Sequence, residues 1–140
     1  MKILVTSLSG GGKTYFCNSF LQQLHAEHFN NDKIRALTNN FDFSMSGRVL
    51  AAENMRKFAD SSNADIKLID MICPTKELRK IIAPDVIVYI RHGCASKYPD
   101  TDALYEEPTP EEARYFFSCF SRQTDHLVDR VVYWLRKNPQ

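Results

Sequence analysis

Apolar positions follow two rhythms along this chain. Ile3 to Thr6 is short, continuous and rich in branched residues, as a parallel strand buried on both faces requires. From Thr14 to about Glu27, Phe16, Phe20, Leu21 and Leu24 recur at helical spacing. Phe29 to Asp32 reads as a stunted strand or a turn. Val49, Leu50, Ala52, Met55, Phe58 and Ala59 then predict a helix from about Ser46 to Asp60, which Ser61-Ser62-Asn63 breaks. Ile66 to Ile69 is a further buried strand, ending at Asp70. Pro74 opens a short helix with Leu78, Ile81 and Ile82. Val86 to Ile90 is another strand, Tyr115 to Cys119 a last one, and Asp125 to Lys137 an amphipathic closing helix. Strands alternating with helices predict an α/β fold, a small parallel sheet with helices on both faces. The length, 140 residues, fits one domain over 1–140. The polar stretch from Arg91 to Glu111 is too long for a plain connection and reads as a lid or functional loop.

The turn between the first strand and the first helix carries the sharpest chemical signal. It reads Ser7-Leu8-Ser9-Gly10-Gly11-Gly12-Lys13-Thr14. The phosphate-binding pattern is G-x-x-x-x-G-K-[ST]; its last three positions match and Ser7 replaces the first glycine. Glycines let the backbone curl until successive N–H groups face phosphate oxygens, and the helix start adds a positive end. The pattern assigns Ser9, Gly10, Gly11, Gly12, Lys13 and Thr14 to the phosphates of ATP, with Lys13 bridging the β- and γ-phosphates and Thr14 on Mg²⁺. The fold is then a P-loop NTPase or kinase-like three-layer sandwich. Ligands of such sheets sit at the carboxyl ends of the strands, where Thr6, Asp70 and Arg91 fall. Asp70 serves either as the second Mg²⁺ carboxylate or as a turn or helix-cap aspartate before Pro74.

Composition narrows the partners. The balance of 18 basic against 17 acidic residues gives a net charge of +1 and no global field for nucleic acid or membrane. No apolar run approaches the roughly 20 residues of a membrane span, and no secretory signal is expected at the start. Cys17, Cys73, Cys94 and Cys119 show no C-x-x-C spacing, so they read as reduced thiols and not as a zinc site. These features lead to a cytoplasmic expectation; a homodimer stays open. His25 and His28, beside Glu27, read as a solvated helix end rather than a metal pair.

Leu8-Ser9-Gly10-Gly11-Gly12-Lys13-Thr14 is similar to the L-S-G-x-G-K-[ST] loop of the adenylylsulfate kinases. Asn30-Asn31-Asp32-Lys33-Ile34-Arg35 resembles that family's D-G-D-N-[VI]-R, with Asn30 at the first aspartate. Phe43-Ser44, Arg48 and Glu53-Asn54-Met55-Arg56-Lys57 resemble its G-F-S, D-R and E-N-I-R-R. Ile72-Cys73-Pro74 resembles I-S-P, and Tyr105-Glu106-Glu107-Pro108 resembles P-Y-E-x-P. The similarity runs through most of the chain in order, although the family's K-G-L-Y-K lid is not recognisable between Arg91 and Tyr98. It implies transfer of the ATP γ-phosphate to a small anionic nucleotide-like acceptor, adenylyl sulfate first, at its ribose 3′-hydroxyl. It implies Lys13 and Asp32 as catalytic residues, Asp32 taking the acceptor's proton. It implies Arg35 and Arg48 gripping the anion and Phe43 stacking on a base, with Phe41 as a substitute. Solvated arginines and a core Phe43 are the plain alternatives. Another acceptor (a nucleoside, a nucleotide or a polynucleotide end) or a nucleotide-binding module without catalysis are the competing functions.

Overall fold

The computed structural model describes residues 1–91 and 98–139. Its frame is a five-stranded parallel sheet in the order β2-β3-β1-β4-β5. The strands are β1 (Lys2–Thr6), β2 (Glu27–Asn30), β3 (Lys67–Asp70), β4 (Val86–Arg91) and β5 (Tyr115–Phe120). The helices are α1 (Lys13–Leu21), α2 (Asn31–Leu37), α3 (Met45–Ser61), α4 (Lys76–Ile82), α5 (Pro99–Leu104) and α6 (Thr124–Lys137).

Successive strand residues point to opposite faces, and both faces are apolar, so the sheet is covered twice. Ile3, Val5, Leu68, Val86 and Val88 pack with Phe16 and Phe20 of α1 and Leu127, Val131 and Leu135 of α6. Leu4, Ile69, Ile87 and Tyr89 pack on the other side with Ala52, Met55 and Ala59 of α3 and Leu78 and Ile82 of α4. This is the three-layer α/β sandwich expected from the alternation. No helix among the described residues is long and apolar enough to cross a membrane.

Three expectations shift. The helix after the glycine turn stops at Leu21, not near Glu27, because Glu27–Asn30 pairs in register with Lys67–Asp70 as β2. Only Phe29 of that strand is buried, which is why its pattern is so faint. Asn31 and Asp32 belong to α2, a helix the pattern did not announce, started by the Asn30 side chain accepting from Lys33 N at 3.2 Å. The polar stretch from Arg91 to Glu111 contains α5, opened by Pro99; His92 and the rest of 92–97 lie outside the described residues.

Candidate active site

β1 ends at Thr6, and the glycine turn leads directly into α1. Gly10 and Gly12 hold φ of 80° and 101°, the left-handed region that glycine reaches without strain. Ser7 is fully buried and donates its hydroxyl to Leu8 O at 2.8 Å. A Cβ on Gly11 would lie 2.5 Å from that hydroxyl oxygen. The serine that replaces the first glycine of the motif is thus accommodated by the glycine four residues on. Gly12 offers no side-chain cap, so the first N–H groups of α1 stay available to an anion.

Asp70, at the carboxyl end of β3, gathers three side chains on one oxygen. Its Oδ2 accepts from Thr14 Oγ1 at 2.7 Å and from Asn30 Nδ2 at 3.2 Å, and lies 3.1 Å from His28 Nε2. Burial pushes this carboxyl up, but the bonds from His28 and Thr14 and the nearby Lys13 charge outweigh it and hold it below the ordinary aspartate range. The cap of α4 is Thr75, accepting from Leu78 N at 3.2 Å, so Asp70 is not spent as a helix cap. Lys13 is half-buried. Burial draws its ammonium below the ordinary lysine range, against the opposing pull of Asp70 and Asp32.

A cavity of about 540 Å³ joins this cluster to the residues drawn from the middle of the chain. Ser9, Lys13, Thr14 and Asp70 line one part, and Asp32, Arg35, Phe43 and Arg48 another. Asp32 is exposed in the first turn of α2. The arginines are not solvated surface residues: Arg35 is 5% exposed and Arg48 is 8% exposed. Arg35 Nη1 donates to Asn40 O and Asp42 O, both at 3.1 Å, and Arg48 Nε donates to Phe43 O at 2.9 Å. Both guanidiniums face the Phe43 ring, at 4.2 Å and 5.7 Å from its centroid. Phe43 itself is 60% exposed, so it is not a core residue. Phe41 is exposed too but does not line the cavity. Among the described residues, Arg35 Nε and Asn31 Oδ1 are buried polar atoms without a hydrogen-bond partner, and both residues line this cavity.

Several residues here escaped the sequence reading. His28 is on β2 against Asp70, not on a solvated helix end. Thr101 of α5 is buried and accepts from Arg48 Nη2 at 3.1 Å, and Tyr98 lines the cavity beside it. Cys17 stands near His28 and Asp70 although it is distant from both in sequence. No spacing rule reveals such contacts, which depend on strand pairing. Arg91 caps Tyr89 and Phe120 at 5.7 Å and 5.9 Å and is not among the cavity residues.

No protein-family model and no curated protein sequence matches the chain. Solved structures do. A sugar kinase from Janibacter sp. HTCC2649 superposes with TM-score 0.71 at 14% identity, over 96% of this chain and 94% of that one. The APS kinase of Mycobacterium tuberculosis, in complex with AMPPNP and APS, gives 0.68 at 17% identity over 96% of both chains. Shikimate kinase from Acinetobacter baumannii, in complex with shikimate, gives 0.64 at 15% identity over 99% and 94%. The chain has the P-loop kinase fold.

Proposed function

We propose that this chain is an ATP-dependent phosphotransferase for a small anionic acceptor, with adenylyl sulfate as the first acceptor to test. The observation that carries the reading is that Lys13, Thr14 and Asp70 line one cavity together with Asp32, Arg35, Phe43 and Arg48. Gly10 to Gly12 and the start of α1 cradle the phosphates, and Lys13 neutralises charge that builds on the γ-phosphate. The acceptor's anionic group pairs with Arg35 and Arg48, whose burial makes each contact count, and its ring lies on Phe43. Asp32 takes the proton of the acceptor hydroxyl. That oxygen forms the new bond to the γ-phosphorus, the bond to the β,γ-bridging oxygen breaks, and ADP leaves.

The Thr14 hydroxyl, 2.7 Å from the Asp70 carboxylate, is an all-oxygen donor set suited to Mg²⁺. Bound there with ATP, Mg²⁺ would supply charge neutralisation across the β- and γ-phosphates. Asn30 is an amide that caps α2 with its side-chain oxygen and donates its Nδ2 to Asp70, so the carboxylate at the start of α2 that serves proton transfer is Asp32.

The test is ADP release from ATP and Mg²⁺ with adenylyl sulfate, a nucleoside, a sugar, shikimate, an oligonucleotide end or water alone, with product identification. Adenylyl sulfate should raise ADP release well above the water rate and yield the 3′-phosphorylated product. A different active acceptor keeps the phosphotransferase and replaces the substrate. No acceptor above the water rate leaves only a nucleotide-binding module.

A further inference from the structure

We propose that Cys17, His28 and Asp70 form a binding site for a soft divalent transition-metal ion of the zinc class, and that this ion and a magnesium nucleotide exclude one another. One ligand atom from each residue lies within 4.8 Å of the other two. Cys17 and Asp70 are buried and His28 is half-buried, so the donors are held by packing rather than by solvent-exposed chance.

The arrangement follows from the elements. Thr14 and Cys17 stand at i and i+3 on α1 and share a face, and Thr14 already touches Asp70. His28 and Asn30 alternate by two along β2, point to the same side, and both reach Asp70 Oδ2. The helix and the adjacent strand therefore converge on one carboxylate, delivering a thiol and an imidazole to it.

A thiolate, an imidazole and a carboxylate are the donors zinc takes, at about 2.0–2.3 Å each. Magnesium, which requires oxygen, is not served by the sulfur and nitrogen. The three donor atoms, within 4.8 Å of one another, have to close around the ion to reach that distance. Thr14 and Asp70 also line the main cavity, so an ion reaches the Asp70 carboxylate from that side. Binding forms a sulfur–metal bond and releases the Cys17 thiol proton to solvent.

The exclusion follows from sharing. Asp70 Oδ2, the oxygen bonded to Thr14, is the one that faces His28. An ion that takes this oxygen draws the carboxylate away from Thr14 and sets two positive charges beside the magnesium position. The exclusion rests on the nucleotide site proposed above; the metal site does not.

Co²⁺ is the probe, titrated into the full chain. We expect a thiolate-to-cobalt charge-transfer absorption that saturates at one ion per chain and is erased by Zn²⁺. Cys17→Ser should abolish the band, His28→Gln should weaken Co²⁺ binding at least about tenfold, and Cys119→Ser should leave it intact. Absence of the band in the wild-type chain, or its survival in Cys17→Ser, overturns the site; should Cys17→Ser fail to fold, undiminished binding in His28→Gln overturns it. One equivalent of Zn²⁺, with Mg²⁺ in large excess, should weaken ATP binding to the wild type and not to Cys17→Ser. ATP affinity untouched by Zn²⁺ while the band is present overturns the exclusion and leaves the site. No ATP binding in any sample, with the band present, overturns the nucleotide reading instead.

Discussion

Burial holds the Lys13 ammonium below the ordinary lysine range although Asp70 and Asp32 both pull the other way. A lysine whose pKa falls on folding costs stability wherever it is charged. Its position is therefore explained by chemistry and not by packing. Lys13→Ala should lower kcat by about 10²–10³-fold, the scale of losing one preorganised positive donor. The same substitution should not lower the melting temperature, a split that kinetics and calorimetry on one sample would read. Glu112 is the opposite case. It pairs with Arg79 Nε at 2.7 Å, both side chains almost fully buried. Burial pushes the Glu112 carboxyl up, but the Arg79 bond and the Thr109 N–H more than offset this and hold it below the ordinary range. Its share of stability is then fully present above about pH 4.3, the unperturbed value, and is lost as pH falls through the lower folded value. Glu112→Gln, which leaves the buried Arg79 charge without its carboxylate and still donating to Cys73 O, should cost roughly 3–5 kcal/mol near neutral pH and flatten the loss on acidification. Urea unfolding at stepped pH would show both.

Among the elements, the decisive contact for the acceptor half of the cavity is between a helix and a loop. Gly47, in the first turn of α3, lies against Asp42: a Cβ built there would sit 2.1 Å from Asp42 O and 2.6 Å from Asp42 Cβ. The loop is fastened by Asn40 Nδ2 donating to Gly47 O at 3.0 Å and by Arg35 donating to Asp42 O. Gly47→Ala must push that loop outward, and Phe43 travels with it. The substitution should cost about 1–3 kcal/mol, as overpacking does, and raise the acceptor KM while the ATP KM stays put. An unchanged acceptor KM would detach Phe43 from binding. The strands β1, β3 and β4 and the phosphate loop were legible in the sequence because burial on both sheet faces writes continuous apolar runs, and the loop writes glycines; β5, half-buried, was legible through its aromatic run from Tyr115 to Phe117. Arg35, Phe43 and Arg48 were named only through resemblance, since neither periodicity nor charge distinguishes a buried arginine from a solvated one. Helix α2 and strand β2 were blurred because one buried residue, Phe29, carries the strand and a side-chain cap from Asn30 starts the helix. Gly47, His28 and Cys17 were illegible: each matters through a contact made by tertiary packing.

At the scale of the whole molecule, the cavity spans the carboxyl edge of the sheet, and its two parts are built on different elements. The proposed phosphate part is lined from the loop after β1, α1 and β3, while the proposed acceptor part is lined from α2, the loop before α3, α3 itself and α5. A ligand held by one part should stabilise the fold without the other. At 100 times its dissociation constant, a ligand confined to the folded state adds about 2.7 kcal/mol. For a chain of 140 residues this corresponds to a rise in melting temperature of roughly 8–13 °C. ATP with Mg²⁺ at that saturation should give such a rise, and EDTA should remove most of it, because Thr14 and Asp70 then lose the ion that joins them to the phosphates. Adenylyl sulfate added to the ADP-bound protein should give a second, additional rise. Arg48→Ala should erase the second rise and keep the first, since Arg48 lies in the acceptor part and bonds to Phe43 O and Thr101. Loss of both rises together would mean that the arginine supports the fold of the whole edge. Retention of both would place the acceptor elsewhere than against Phe43 and its two guanidiniums.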